Sequence, residues 1–352
     1  MLFLNSHFAI QVLHRISDID PNEWDRLSGE RPFQSYRWYQ YGERVMSDCQ
    51  PTYILLYYQG ELAARASLWL IRNEPLPLSP GIMRNVTQSA LNHWPLLICR
   101  SPLSFLSGLI LPESSLRDPA LGEICRVARD ELRSQHGSFL VFDYMETKDK
   151  EWAGWSREFT FITVSDPGTI MHNHWDDLES YFASGNKKDR QHYKRSMHEA
   201  QALGIKIYIV KRISDVQDVL DLIRLVEKRH GSPPNPWAKA MLENLEMVKG
   251  ICIEAFMNEK LVGCGLIFED NRAQLTATLG LADDVPGVYF QLIYTSLQDA
   301  FTRKVRFLRW GSGAYDVKRR LGFELETNNN SVFISANPFV NFIMRNFSKV
   351  AS

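Results

Sequence analysis

A chain of 352 residues is long for one typical domain and suits two of ordinary size. Its composition, 45% hydrophobic and 23% charged, is that of a globular protein and excludes a low-complexity chain. The formal net charge of −1 means that any anion-binding surface must come from local clustering of basic residues.

In chain order, residues 8–12 read as an opening strand, and Asp20-Pro21-Asn22-Glu23 as a helix start with Asp20 as N-cap and Pro21 at the first helical position. Ser35 caps a helix over 36–46. Residues 52–58 and 62–71 flank Gln59-Gly60-Glu61 as a β-hairpin. Residues 73–88 are rich in Pro and Gly and read as a loop. A short strand follows at 96–99, then a long helix over 116–135 with Leu121, Ile124, Val127, Ala128 and Leu132 at helical spacing, then strands at 138–145, 159–164 and 169–172.

The pattern then begins again. Helices are expected over 175–183 and 186–203, a strand at 205–210, and helices over 215–229 and 236–247. Strands at 250–257 and 261–269 turn at Asn258-Glu259, and Asp270-Asn271 leads into 273–280. A helix over 287–301, a strand at 306–310, a short helix over 315–320 and a strand at 332–335 complete the order. Asn337 caps a terminal helix with Pro338 at its first position and Phe339, Phe342, Ile343 and Phe347 on one side, read as a core face. The parallel order of the halves implies two copies of one α/β unit, 1–168 and 169–352. The five Cys are scattered, without a C-x-x-C pair, and read as buried reduced thiols. No apolar stretch is long enough to span a membrane, and residues 1–10 lack the features of a signal peptide, so the expected location is cytoplasmic. No metal-ligand spacing, Walker motif or dinucleotide fingerprint is present.

Four stretches carry chemistry. The first is Phe307 to Glu326, in which Gly311, Ser312 and Gly313 break a strand, Tyr315 to Arg320 forms a helix, and Gly322 sits at its C-cap. It resembles the end of the GNAT acyltransferase core, Tyr-x-x-x-Gly-Phe, with Lys318 where that pattern usually has Tyr. Lys in that place is similar to the FemAB branch and its CelD-like members. Pro32-Phe33-Gln34-Ser35-x-x-Trp38 likewise resembles the start of CelD-like proteins. The second stretch, 184–195, carries five basic residues against one acid. Lys187, Arg190 and Lys194 share one helix face that suits phosphates, or equally a solvated surface. The third, 227–237, is similar to the His-Gly-x-Pro-Pro-x-Pro segment of FemAB-like transferases. His230 stands there as a general base or a helix cap, and Pro233, Pro234 and Trp237 border an acceptor cleft. The fourth is the turn at 283–291. In GNAT enzymes the matching turn holds the pyrophosphate of coenzyme A on backbone N–H groups. Here Gly287, Val288 and Tyr289 open the helix, and the nearby Asp283 and Asp284 are expected to repel a phosphate. Thr276 and Thr278 alternate on one face of a central strand, where they line the cleft with Tyr315 or simply satisfy β propensity.

The resemblance implies an α/β (α+β) chain of two tandem GNAT-like domains, each a mixed central sheet flanked by helices, the second carrying the more recognisable motifs. It implies transfer of an acyl group, from an acyl-CoA co-substrate, to an amine or hydroxyl of a cell-envelope or polysaccharide-type precursor. The alternatives are an aminoacyl-tRNA donor, as in FemAB enzymes, or a non-catalytic binding protein. Neither a permanently bound cofactor, a metal nor DNA is expected; peripheral contact with a membrane stays open.

Overall fold

The structure is a computed structural model and describes residues 8–76, 80–155, 159–163, 167–283 and 285–341. In chain order its elements are β1 (Ala9–Leu13), α1 (Pro21–Ser28), α2 (Tyr36–Val45), β2 (Gln50–Tyr58), β3 (Glu61–Ile71), α3 (Ile82–His93), β4 (Leu96–Ser101), β5 (Leu106–Ser107), β6 (Leu109–Ile110), α4 (Arg117–Ser134), β7 (Phe139–Met145), α5 (Thr147–Lys150) and β8 (Thr160–Thr163). They continue with β9 (Thr169–His172), α6 (Leu178–Ser184), α7 (Lys187–Ala202), β10 (Lys206–Val210), α8 (Val216–Arg229), α9 (Ala238–Glu243), β11 (Ile251–Met257), β12 (Lys260–Asp270), β13 (Ala273–Leu281), α10 (Val288–Thr302), β14 (Phe307–Trp310), α11 (Tyr315–Arg320), β15 (Glu324–Leu325) and β16 (Asn330–Ser335). The chain forms two units. One comprises Met1–Glu74, Ile82–Pro167 and Glu326–Ser352, the other Pro75–Gly81 and Gly168–Leu325.

The helix starts follow the capping residues. Asp20 accepts from the backbone N–H groups of Asn22 and Glu23, Ser35 from that of Trp38, and Asp215 from those of Gln217 and Asp218. Asn337 likewise accepts from Phe339 N–H at 2.9 Å; Phe342, Ile343 and Phe347 lie outside the described residues. All five Cys are buried and unbridged. Among the described residues, no helix is long and apolar enough to cross a membrane, and no cluster could hold a metal ion.

The same plan appears in both units. In the first, β1, β2, β3 and β4 are antiparallel neighbours, and β4 then pairs in parallel with β7. In the second, β10, β11, β12 and β13 are antiparallel, and β13 pairs in parallel with β14. The parallel pair in each case is joined by a long helix, α4 or α10, because a parallel connection needs a crossover. α4 buries Leu121, Ile124, Ala128 and Leu132 with Leu97, Leu140 and Phe142. α10 buries Val288 and Leu292 with Ile251, Ile253 and Ile267 on one face of the second sheet. On the other face α8 approaches so closely that a Cβ on Gly280 would lie 2.8 Å from the backbone nitrogen of Ile223.

Two expectations need correction. Residues 73–88 are not loop throughout, since α3 starts at Ile82. The division into 1–168 and 169–352 also fails at its end. β16 belongs to the first sheet, between β7 and β8, where it pairs antiparallel with both. In the second sheet the corresponding place, between β14 and β15, is taken by β9. Strand pairing is set by backbone partners far apart in sequence, and the linear order of elements does not reveal it.

The Pro-Phe-Gln-Ser-x-x-Trp pattern proves to be a structural lock in the first unit. Arg65 on β3 is fully buried beside the Trp24 ring, 3.6 Å from its centroid. Its Nη2 donates to Ser28 Oγ and to both the backbone oxygen and Oε1 of Gln34, each at 3.0 Å. No carboxylate is among these partners, so neutral oxygens and a ring face solvate the charge. The same Gln34 accepts from Tyr39 OH at 3.0 Å and donates to Ser107 O at 2.8 Å. Trp38 Nε1 reaches Pro102 O at 2.9 Å. Replacing Gln34 by Leu keeps the volume but strips an acceptor from a buried guanidinium. It is expected to cost about 2–3 kcal/mol of unfolding free energy in urea titration; an unchanged midpoint would show that Arg65 does not depend on Gln34.

Candidate active site

The site grows out of a break in the second sheet. Leu266 on β12 is opposite Thr278, yet its neighbour Ile267 is opposite Thr276, so Ala277 is an extra residue in β13. Such a bulge takes one residue's backbone out of the ladder and bends the strand. On its other edge β13 pairs with β14 only from Ala273↔Phe307 to Thr276↔Trp310. β13 then runs on to Leu281 without β14, and the two strands part at the bulge.

The bulge overturns one expectation. Thr276 and Thr278 do not share a face. Thr276 lies on the α10 side, its hydroxyl 3.4 Å from Ser296 Oγ. Thr278 is on the side of Cys264, whose thiol contacts Val219 O of α8. A period-two reading cannot see an inserted residue.

At the end of β14 the chain turns through Gly311 and Ser312 into α11. Lys318 on this helix is only 7% exposed. Its Nζ folds back to donate to the backbone oxygen of Gly311, and to that of Ser312 at 3.3 Å. The third N–H of the ammonium makes no hydrogen bond among the described residues. Nζ also lies 5.9 Å from the Tyr315 ring centroid. Burial pushes the Lys318 pKa down to about 8. The indole N–H of Trp310, at the same strand end, is buried without a hydrogen-bond partner. A buried donor of this kind is costly unless a ligand or water completes it.

The turn before α10 frames the other side. Gly287 is at φ +84°, a conformation that a Cβ would strain, and no side chain caps α10. The first backbone N–H groups of this helix therefore have no intrahelical acceptor. Asp283 does not stand as an unpaired negative charge: it pairs with Arg229 at the end of α8. Asp284 lies outside the described residues. Arg229 also donates to Leu281 O at 3.3 Å, which ties the end of α8, and so the segment after it, to the α10 turn.

That segment is built as scaffold. His230 is exposed, and its backbone N–H closes α8 on Val226 O. Glu227 accepts from Asn235 N–H at 2.9 Å, and Arg224 donates to Asn235 O at 2.9 Å. Asn235 in turn accepts from Trp237 N–H at 3.0 Å. The loop is thus pinned from α8, with Trp237 buried, Pro233 half-buried and Pro234 exposed.

On α7 the basic face divides. Arg190 turns inward, where its Nη1 donates to the backbone oxygens of Phe182, Ala183 and Gly185 and closes the end of α6. Lys187 and Lys194 remain exposed. Sequence reasoning missed His192, whose Nδ1 lies 2.9 Å from Tyr294 OH on α10. It also missed the Arg229–Asp283 pair, whose partners are far apart in the chain.

The first unit does not repeat this opening. There β4 and β7 pair in parallel only as far as Cys99↔Phe142. β5 then pairs with Arg100 and Ser101 of β4 and lies against β7. Arg100 makes a two-pronged ion pair with Glu74 at 2.5–2.7 Å, with Asp143 of β7 at 4.0 Å. Burial holds the Asp143 pKa up, and Arg100 opposes this.

No protein-family model matches the sequence, and no curated protein matches it. Solved structures do match. The crystal structure of FemX aligns with 95% of this chain and 100% of its own at 10% identity, with a TM-score of 0.62. A tandem GNAT protein from the clavulanic acid biosynthesis pathway, determined without AcCoA, aligns over 94% and 99% at 12% identity and a TM-score of 0.55. The structure of L-PGS from Bacillus licheniformis aligns over 94% and 96% at 11% identity and a TM-score of 0.50. The chain therefore has a FemX-like, tandem GNAT fold, the architecture implied by its sequence motifs.

Proposed function

We propose that the second unit is an acyl- or aminoacyltransferase centre in which Lys318 assists departure of the leaving group. The observation that carries this is the Lys318 ammonium, buried and held on two carbonyls where β13 and β14 part beside a bulge. The FemX-like fold supports the reading. The acceptor amine or hydroxyl forms a bond to the donor's carbonyl carbon, and the carbon–sulfur or carbon–oxygen bond of the donor breaks. The departing sulfur or oxygen takes a proton from Lys318, whose neutral amine is then recharged by the proton the acceptor releases, directly or through solvent; or the leaving group is stabilised by the Lys318 charge while the acceptor's proton passes to solvent. The register break at Ala277 and the partnerless Trp310 indole N–H support a reading in which these groups donate to the donor's carbonyl.

An acyl-CoA is our preferred donor, because the uncapped start of α10 at Gly287, Val288 and Tyr289 suits a pyrophosphate once Asp283 is paired. Aminoacyl-tRNA is the second reading, favoured by the exposed Lys187 and Lys194. The acceptor class we propose is a cell-envelope or polysaccharide-type precursor, bordered by Pro233, Pro234, Trp237, Thr278 and Tyr315. His230 is assigned a capping role, and its replacement by Gln should leave kcat within about threefold; a much larger loss would make it the base. Thermal shift separates the donors, since a bound ligand raises the melting temperature by mass action. A rise with acyl-CoA supports the first reading and a rise with bulk tRNA the second. No shift with either would favour a non-catalytic binding protein.

Two further outcomes test the residues. If Lys318 gives up a proton, kcat/KM should fall as pH rises through about 8, because the acid form is lost there. Lys318→Arg would then remove activity, whereas it retains activity if only the charge is needed. Lys318→Met should cost about 2–4 kcal/mol of transition-state stabilisation in either case. A folded Lys318→Met protein with unchanged kcat/KM would remove Lys318 from the mechanism. Changing Lys187 and Lys194 together to Gln should weaken tRNA binding and flatten its salt dependence if tRNA is the donor. Equal affinity and slope would return α7 to an ordinary solvated face.

A further inference from the structure

Among its described side chains, α3 turns its apolar stripe outward. Its less exposed side carries Arg84, Thr87, Gln88 and Leu91, of which only Leu91 is an apolar residue buried in the fold. Its open side carries Ile82, Val86 and Ala90, and Trp94 follows at the same four-residue spacing. Ile82 is 83% exposed, Val86 59% and Trp94 61%. Val86, Ser89, Ala90, His93 and Trp94 line a shallow groove along this side. A surface helix normally buries its apolar stripe, so a helix that presents one to solvent marks a surface that something apolar covers.

Charge identifies the cover. From Pro75 to Pro112 the sequence has no Asp or Glu, although acids make up 41 of its 352 residues. The cation beside the stripe is Arg72, which is exposed and donates to Asn92 O at 3.1 Å at the end of α3, whereas Arg84 belongs to the opposite, less exposed side. His93 is also exposed. An apolar stripe ending in Trp, on a helix that carries no acidic residue and has Arg72 at its end, fits the boundary of an anionic bilayer, where Trp rings and aliphatic side chains enter and basic residues meet headgroups. We propose that α3 docks this protein on an anionic lipid surface, lying in the plane of the interface. This concerns the first unit and does not depend on the transfer chemistry assigned to the second.

The test uses the full chain in sedimentation with vesicles of phosphatidylcholine, alone or mixed with phosphatidylglycerol. The protein should sediment with the mixed vesicles and far less with phosphatidylcholine alone. Val86→Glu and Ile82→Glu alter solvent-exposed positions, and circular dichroism should confirm that both variants fold. Each should weaken binding about tenfold or more, the value of one withheld aliphatic side chain. Arg72→Gln should reduce the preference for phosphatidylglycerol. Failure of the wild-type chain to sediment at low salt would overturn the proposal, and so would equal binding by Val86→Glu. A lipid-free dimer in light scattering that Val86→Glu dissociates would also overturn it, giving the stripe to a second copy of the chain. Activity on a soluble acceptor, unchanged in these variants, keeps this outcome separate from that of the transferase reading.

Discussion

A strand cannot gain a residue on one edge and keep its register on both. The bulge at Ala277 satisfies β12 with an uneven count, and β14 leaves β13 at that level. The other features of the site are placed by that parting. It sets where the Gly311-Ser312 turn can lie, where Lys318 finds its carbonyls, and where the Trp310 indole is left unpaired. The first unit shows the alternative outcome. Its parallel pair also ends early, but β5 and the ion pair between Arg100 and Glu74 occupy that level. One plan thus yields an open edge in one copy and a closed one in the other.

Two buried cations illustrate different physics. Arg65 cannot lose its proton under ordinary conditions, so it is surrounded by hydroxyls, amide oxygens and a Trp face. Burial lowers the pKa of both cations, and Lys318, which has fewer acceptors, comes down to about 8. The folded protein binds that proton less tightly than the unfolded chain. Between about pH 8 and the ordinary lysine value the unfolded state carries more protons, so stability rises with pH across this window as the ammonium's burial penalty is relieved. A loosely held proton and a slightly destabilised fold are two consequences of one desolvated group.

Local rules read much of this chain from sequence. Asp20, Ser35 and Asn337 cap helices because each places an acceptor one turn before free amides. Lys318 was singled out by its spacing to Gly322, and its burial gives that choice a physical basis. Other features were hidden because they depend on partners distant in sequence. Arg190 looked like a phosphate ligand until three carbonyls from α6 took its Nη1. Asp283 looked like a repelling charge until Arg229 met it. α3 was concealed for another reason: neither a capping residue nor a buried stripe marked it.

β16 carries a consequence for how the chain is made. A ribosome emits β7 and β8 long before Asn330–Ser335, and the first sheet needs that last strand between them. Until then two neighbouring strands present open edges, the condition in which nascent chains most readily pair wrongly. The first sheet therefore cannot be completed until the second unit, which precedes β16 in the chain, has been synthesised.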